Sequence, residues 1–428
     1  MRAMPNSMEI KRGLSGKRFT FALNILSGKM KLSKIPLLGR VVIAILSGIL
    51  LGQFVPVWFA RIFATFNDLF GNFLSFIIPL IILGLVAPAI GELGKGAGRL
   101  LLITTVIAYL STLFSGFFTY FSCRAVFPNI ITGAIDAESL QGMGEGAVKT
   151  FFSIGMPPVM EVMSALILSF CIGIGLSLIQ GDTLQKVFSD FRDIVTMIIR
   201  AVIIPLLPVY VFGMFLSISI TGQVYSVIML FLKVISVIFV LHILLLVIQY
   251  AVAGAVSRRH PLKALKRMLP AYMTALGTAS SAATIPVTLQ CALNNKINPS
   301  IASFVIPLCA TIHLAGSVMK IAGFSLAILY FFGVPVDPGT FIGFIVMVGI
   351  TMIAAPGVPG GAIMAAIGII QSILGFDEQM IGLMMTLYIA VDSFGTACNV
   401  TGDGAIALIM ERVAGDTMNK NHFNAKDR

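Results

Sequence analysis

Charge is what this sequence has least of. Of its 428 residues only 11% are Asp, Glu, Lys or Arg, against roughly 25% in an ordinary soluble chain. With 57% hydrophobic residues and a mean hydropathy of +0.99, too little polar surface is left for a soluble enzyme, a nucleic-acid binder or a disordered chain. The five cysteines, at 123, 171, 291, 309 and 398, lie in or beside apolar stretches without metal-ligand spacing and read as small buried hydrophobes. No His-Glu-x-x-His and no Gly-x-Ser-x-Gly occurs. The alternation of apolar and polar residues that marks a membrane barrel is also missing. Apolar runs are instead continuous, as in 78–90, so the chain reads as an all-α membrane protein.

The charges that are present carry topology. Nine of the 29 Lys and Arg fall in residues 1–40 and five more between Arg258 and Arg267, with others at Lys95, Arg99, Lys186 and Arg192. The intervening loops are neutral or acidic, as at Asp136, Glu138 and Glu145 or at Asp377 and Glu378. This positive-inside pattern predicts a multi-pass protein of the cell membrane (inner or plasma) with both termini cytoplasmic. The net charge of +11 is thereby assigned to topology and not to nucleic acid.

Hydrophobic segments at about 37–60, 65–91, 99–127, 162–181, 193–220 and 224–256 are each long enough to span. The polar stretch 128–160 predicts an external loop. Beyond Lys266 two apolar stretches, 263–292 and 338–374, are interrupted at their midpoints by Thr278–Pro286 and Ala354–Gly361. Backbone freed by Pro and Gly at membrane depth persists only where it lines a cavity, and paired interruptions point to a transporter's binding site. Continuous helices at about 298–333 and 377–414 are expected to follow them. The expected organisation is a basic tail at 1–36, a six-helix half at 37–256, the interrupted hairpins with the last two helices at 257–415, and a tail at 416–428.

The densest polar signal is Asp392-Ser-Phe-Gly-Thr-Ala-Cys-Asn399-Val-Thr-Gly-Asp403. Offsets of 7 and 11 residues bring Asp392, Asn399 and Asp403 to one helical face within about 20°. Thr396 lies near the same stripe. Ionised carboxylates at this depth need a partner, and no Lys or Arg follows in the helix until Arg412. A bound cation, a substrate ammonium or a proton fits that need. The preceding helix carries Thr311, His313, Gly316, Ser317 and Lys320 in an apolar setting. His313 and Lys320 share a face. The lysine either acts within the membrane or snorkels to its edge.

These residues resemble the dicarboxylate/amino-acid:cation symporter family, which includes archaeal aspartate transporters and eukaryotic glutamate and neutral amino-acid transporters. The likeness is carried by Ser280-Ser281 with Thr284-Ile-Pro-Val-Thr288, by Gly357-Val-Pro-Gly360 and by Asn399-Val-Thr-Gly-Asp403, and weakly by the 93–99 turn. It implies about eight transmembrane helices plus two re-entrant helical hairpins, related as inverted repeats. Spans one, two, four and five would form a trimeric scaffold, and the rest an elevator-type transport unit. Ser280, Ser281, Gly357, Val358, Gly360, Ser317, Gly395, Thr396 and Asn399 would line the substrate site, with the Asn399 amide on the α-carboxylate and Asp392 on the α-ammonium. Asp403, with carbonyls of Ala310, His313 and Asn399, would hold one sodium. Thr311, with carbonyls of Met352, Ile353 and Ala355, would hold another.

The departures shape the expected function. Members that carry acidic substrates place an Arg where this chain has Gly395 or Ala279, and the family's Asn-Met-Asp-Gly-Thr has become His313-Leu-Ala-Gly-Ser317. Third-span hydroxyls are expected to be replaced by Ile107 and Ala108. We therefore expect a non-enzymatic, sodium-coupled symporter of small neutral amino acids of the serine, threonine and alanine type. It would carry two sodium ions or fewer, with a proton as a further candidate through His313. The alternative is an acidic amino acid or dicarboxylate whose carboxylate meets Lys320. The expected partners are the amino-acid substrate, the lipid bilayer and two further copies of the chain.

Overall fold

The computed structural model describes residues 37–95, 99–131, 148–222, 224–353, 355 and 359–426, so the 1–36 tail, the 96–98 part of the basic turn and most of the predicted external loop lie outside the described residues. Every regular element among the described residues is helical. The N-terminal half comprises α1 (Leu37–Gly52), α2 (Val57–Lys95), α3 (Arg99–Ile130), α4 (Val162–Leu178), α5 (Thr183–Ile198), α6 (Ile204–Ile220) and α7 (Val224–Ser257). A five-residue π-helix, Ile199–Ile203, joins α5 to α6 without a break, so the fifth predicted segment runs continuously over Thr183–Ile220.

Among the described residues five helices are long and apolar enough to cross a bilayer, and six if a bent pair near the C-terminus counts as one span. The predicted eight is therefore not matched by length alone. The first segment stops at Gly52 ahead of Pro56, leaving 16 residues, and the fourth stops at Leu178 ahead of Gln180-Gly-Asp182, leaving 17. Both fall short of the ~20 residues that a 30 Å core demands of an untilted helix.

The C-terminal half contains α8 (Pro261–Arg267), the pair α9 (Leu269–Thr278) and α10 (Ser281–Asn294), then α11 (Pro299–Ile312) and α12 (Ala315–Phe331). A second pair, α13 (Pro338–Met352) and α14 (Gly361–Leu374), precedes α15 (Glu378–Ala390) and α16 (Asp392–Lys426). The interruptions fall where the proline, glycine and serine clusters predicted them. Ser280 caps α10 by accepting from the Ala283 amide at 3.3 Å, and Asp337 caps α13 by accepting from the Thr340 amide at 2.7 Å.

The helix expected at 298–333 runs as one span over Pro299–Phe331, with a local step inside it, whereas the one expected at 377–414 is broken. His313 and Leu314 leave helical geometry between α11 and α12 (His313 φ −101°, ψ 99°). Val391 separates α15 from α16, which meet at a 59° bend. No Pro or Gly stands at His313–Leu314 or at Val391; each is fixed by partners on other elements, as the site shows.

α16 is the hub of this half and packs on α7, α9, α10, α11 and α12. In the N-terminal half α1 packs on α6, and α2 on α4, α5 and α6. Arg259, just past α7, donates to the carbonyls of Asn295 and Lys296 and pairs with Glu411 of α16 at 2.5 Å, tying three elements at one end. α12 approaches α16 closely enough that a Cβ on Gly316 would stand 2.6 Å from the Gly395 carbonyl oxygen and 2.5 Å from the Cys398 Cβ. Gly316→Ala should therefore cost about 1–3 kcal/mol through overpacking, read as a lower unfolding temperature of the purified protein. An unchanged temperature would mean that the two helices separate freely.

Candidate functional site

The step at His313–Leu314, beside the Gly316 that could unwind its helix, and the break at Val391 expose peptide groups that are met by side chains. The N-terminal amides of α12 have no carbonyl within their own helix. Asn399 of α16 supplies one: its Oδ1 accepts from the amides of Gly316 (2.8 Å) and Ser317 (3.3 Å), while its Nδ2 donates to Ser317 Oγ at 3.1 Å. Asn399 thus caps another helix, with one of its two Nδ2 hydrogens engaged by Ser317. Ser317, 3% exposed, sits in the same knot, and Ser115 of α3 donates to the Ala315 carbonyl.

Asp403 is likewise engaged. His313 Nδ1 lies 3.0 Å from its Oδ1, and both side chains are essentially sealed from solvent, at 0% and 1% exposure. On the far side of the ring, Nε2 lies 3.1 Å from Ser111 Oγ, which in turn accepts from Gln249 Nε2 at 3.1 Å. With the proton on Nδ1 the polarity is consistent from end to end: Gln249 donates to Ser111, Ser111 to the histidine, and the histidine to Asp403. A ring nitrogen thus stands at Oδ1, beside the position where the resemblance puts a sodium with the carbonyls of Ala310, His313 and Asn399. Asp403 Oδ2 is buried without a hydrogen-bond partner.

Ser111 and Gln249 were missed in the sequence. The third-span comparison had pointed to Ile107 and Ala108, and the hydroxyl that serves the site is one turn further on. A signal was available: Ser111, Ser115 and Thr119 recur every four residues and so share one face of α3.

The second carboxylate, Asp392 at the first position of α16, bridges two elements. Its Oδ1 pairs with Lys320 Nζ at 3.1 Å, and its Oδ2 accepts from the Gly360 amide at 2.8 Å. Lys320 does not snorkel. It is 2% exposed, its Nζ lies 3.7 Å from the centre of the Tyr388 ring, and two carbonyls of the α15–α16 break, Val391 and Asp392, stand at 3.5 Å. Its tail fills the space beside Gly395, where an added Cβ would collide with Cε and Nζ. The Gly395 position is therefore not vacant: an ammonium from α12 occupies the volume in which the family resemblance puts a guanidinium from α16. Thr396 donates back to the Asp392 carbonyl at 3.1 Å.

Of the hairpin residues, Ser281 is 5% exposed at the start of α10, which packs on α16, and Ala279 adopts a left-handed backbone (φ +48°) at the turn between α9 and α10. Gly360 reaches the site through Asp392; Gly357 and Val358 lie outside the described residues. Met352 and Ala355 are buried and Ile353 packs against the cluster containing Ile312. Thr311 is solvent-exposed and donates to the Leu308 carbonyl at 2.7 Å. Among the described residues no three His, Cys, Asp or Glu side chains converge. A hard cation here would rely on carbonyl and hydroxyl oxygens.

Two buried carboxylates, paired with a buried lysine and a buried histidine beside a broken helix, make an arrangement suited to holding a small charged solute without water. Comparison with known proteins agrees. The serine/threonine transporter SstT of Acinetobacter baumannii ATCC 17978 is 28% identical to this chain over 388 residues, covering 87% of this chain and 95% of the relative. SstT of A. baumannii strain AYE matches over the same shares at the same identity. The protein is accordingly a transporter and not an enzyme. Residues 37–413 match the sodium:dicarboxylate symporter family, and the chain belongs to it.

Proposed function

We propose that this chain is a secondary active symporter of small neutral amino acids, moving serine, threonine or alanine across the cell membrane with sodium. The observation that carries the reading is the Asp392–Lys320 pair beside Gly395. The family's cation for an acidic side chain is absent from α16, and the lysine that replaces it is bound to a carboxylate of the protein. That leaves no free positive group for a second substrate carboxylate, whose unpaired burial is strongly unfavourable. The names of the relatives point the same way. In this reading the α9–α10 and α13–α14 pairs are re-entrant hairpins, the second acting as the outer gate. α1, α2, α4 and α5–α6 form a trimeric scaffold, and the rest travels as an elevator. Both termini face the cytoplasm.

Ser280, Ser281 and the hairpin tip 357–360 hold the α-carboxylate, and Asp392 takes the ammonium. Sodium is held by Thr311 with the carbonyls of Met352, Ile353 and Ala355. The Asp403 position is filled from within by His313, and the apolar side chains of Ile107, Ala108 and Ala315 offer no oxygen ligands for a further site, so the sodium count stays within two per substrate.

Uptake into proteoliposomes under an inward sodium gradient tests this. Serine, threonine and alanine should each compete with labelled serine at least about tenfold better than aspartate, a difference of about 1.4 kcal/mol. Preference for aspartate would favour the alternative, in which Lys320 leaves Asp392 for the substrate's second carboxylate.

A further inference from the structure

The Lys320 ammonium is enclosed by protein groups when no ligand is bound. It is buried, and the gap beside it, bounded by Phe239, His242 and Phe394, has a volume of ≈ 10 Å³, room for one water molecule at most. Its partners are Asp392, the face of Tyr388 and two distant carbonyls. Asp392 in turn meets the Lys320 ammonium and the Gly360 amide, with the Tyr388 hydroxyl as a further hydrogen-bond partner. The two charges therefore form a locally neutral unit, and whatever disturbs one leaves the other exposed to a medium of low polarity.

We propose that Lys320 is a specificity-determining residue, which with Asp392 makes the site accept ligands carrying one positive and one negative group and reject ligands carrying only one. The inference rests on Asp392 receiving the substrate ammonium. An incoming ammonium takes an Asp392 oxygen and displaces the lysine, whose own ammonium is then met by the carboxylate on the same ligand. Four alternating charges result, and none is left unpaired. A lone amine displaces Lys320 and offers it no anion. A lone acid draws Lys320 away and leaves Asp392 with neutral donors alone, the Gly360 amide and the Tyr388 hydroxyl. Removing one partner of a buried pair is the costly event, far more so than removing both.

The test uses three ligands of nearly equal size: serine, ethanolamine (serine without its carboxylate) and glycerate (serine with a hydroxyl in place of its ammonium). Their binding to the purified full-length protein is measured by calorimetry. Wild type should bind serine and neither of the others. Lys320→Met leaves an uncompensated anion, and the affinity of ethanolamine relative to serine should rise at least about tenfold. Asp392→Asn leaves an uncompensated cation, and glycerate should gain by the same factor. The double variant Lys320→Met/Asp392→Asn buries no charge, so it folds most readily of the three. In it serine's advantage over both analogues should shrink to about threefold or less.

Shifts of both single variants in one direction would overturn the proposal, as would unmoved ratios. So would a double variant that keeps a tenfold preference for serine, which remains decisive even if neither single variant folds. A wild type that binds no serine, threonine or alanine would instead sink the transport reading itself.

Discussion

Gly395→Arg is expected to abolish serine uptake, and Lys320→Ala placed in the same chain is expected to restore much of it. The first Cβ at residue 395 already collides with the lysine's Cε and Nζ. Overpacking of this kind costs about 1–3 kcal/mol. The guanidinium adds a second cation to a volume that holds one, and like charges ~4 Å apart repel by about 4 kcal/mol at an effective dielectric of 20. Together these terms lower a folded, loaded population by several orders of magnitude. Removing the lysine side chain relieves both, and leaves Asp392 with one cationic partner that now comes from its own helix. Uptake per mole of monodisperse protein, compared between the single and double variants, decides the matter. Wild-type uptake by Gly395→Arg alone would mean that Lys320 does not hold that space during transport.

His313→Asn should turn Asp403 into a sodium site. The change takes the ring donor from a sealed carboxylate, and breaking such a pair costs about 3–5 kcal/mol. In choline buffer the variant should therefore unfold at a markedly lower temperature than wild type. Sodium should recover much of the loss, since a ligand at a hundred times its dissociation constant stabilises by about 2.7 kcal/mol. Wild type, whose Asp403 Oδ1 is already engaged by His313, should gain less from the same salt. Reversal potentials should count one more sodium ion per substrate in the variant. Equal stabilisation of both proteins by sodium would show that the histidine is not what fills the position.

Much of this was legible from residue spacing. The stripe Asp392–Asn399–Asp403 is a property of one helix, and helical geometry alone predicts it. The interruptions of the two hairpins carry their own Pro, Gly and Ser. The step at His313–Leu314 carries only Gly316 as a signal and the break at Val391 carries none, because each is stabilised across helices: Asn399 caps α12 from 82 residues away, and Lys320 reaches the carbonyls of the break. For the same reason the partners of the two carboxylates were not readable. Lys320 and His313 were visible as intramembrane polar residues, yet which carboxylate each would meet depends on how α12 lies against α16. Gly395 illustrates the limit. In sequence it is a missing arginine, and in space it is the clearance for a lysine 75 positions earlier.

That clearance constrains the order of evolutionary change. A lineage with arginine at position 395 and one with lysine at position 320 use the same few cubic ångströms for the same charge, so the two states cannot be joined through an ancestor holding both. A chain with neither would leave the carboxylate at 392 without its fixed partner and dependent on cations drawn from solution. Descendants of such an intermediate would be free to change cargo before regaining a cation. Position 395 and position 320 should therefore covary across the family as mutually exclusive alternatives, and sequences lacking both should be the ones whose cargo differs most.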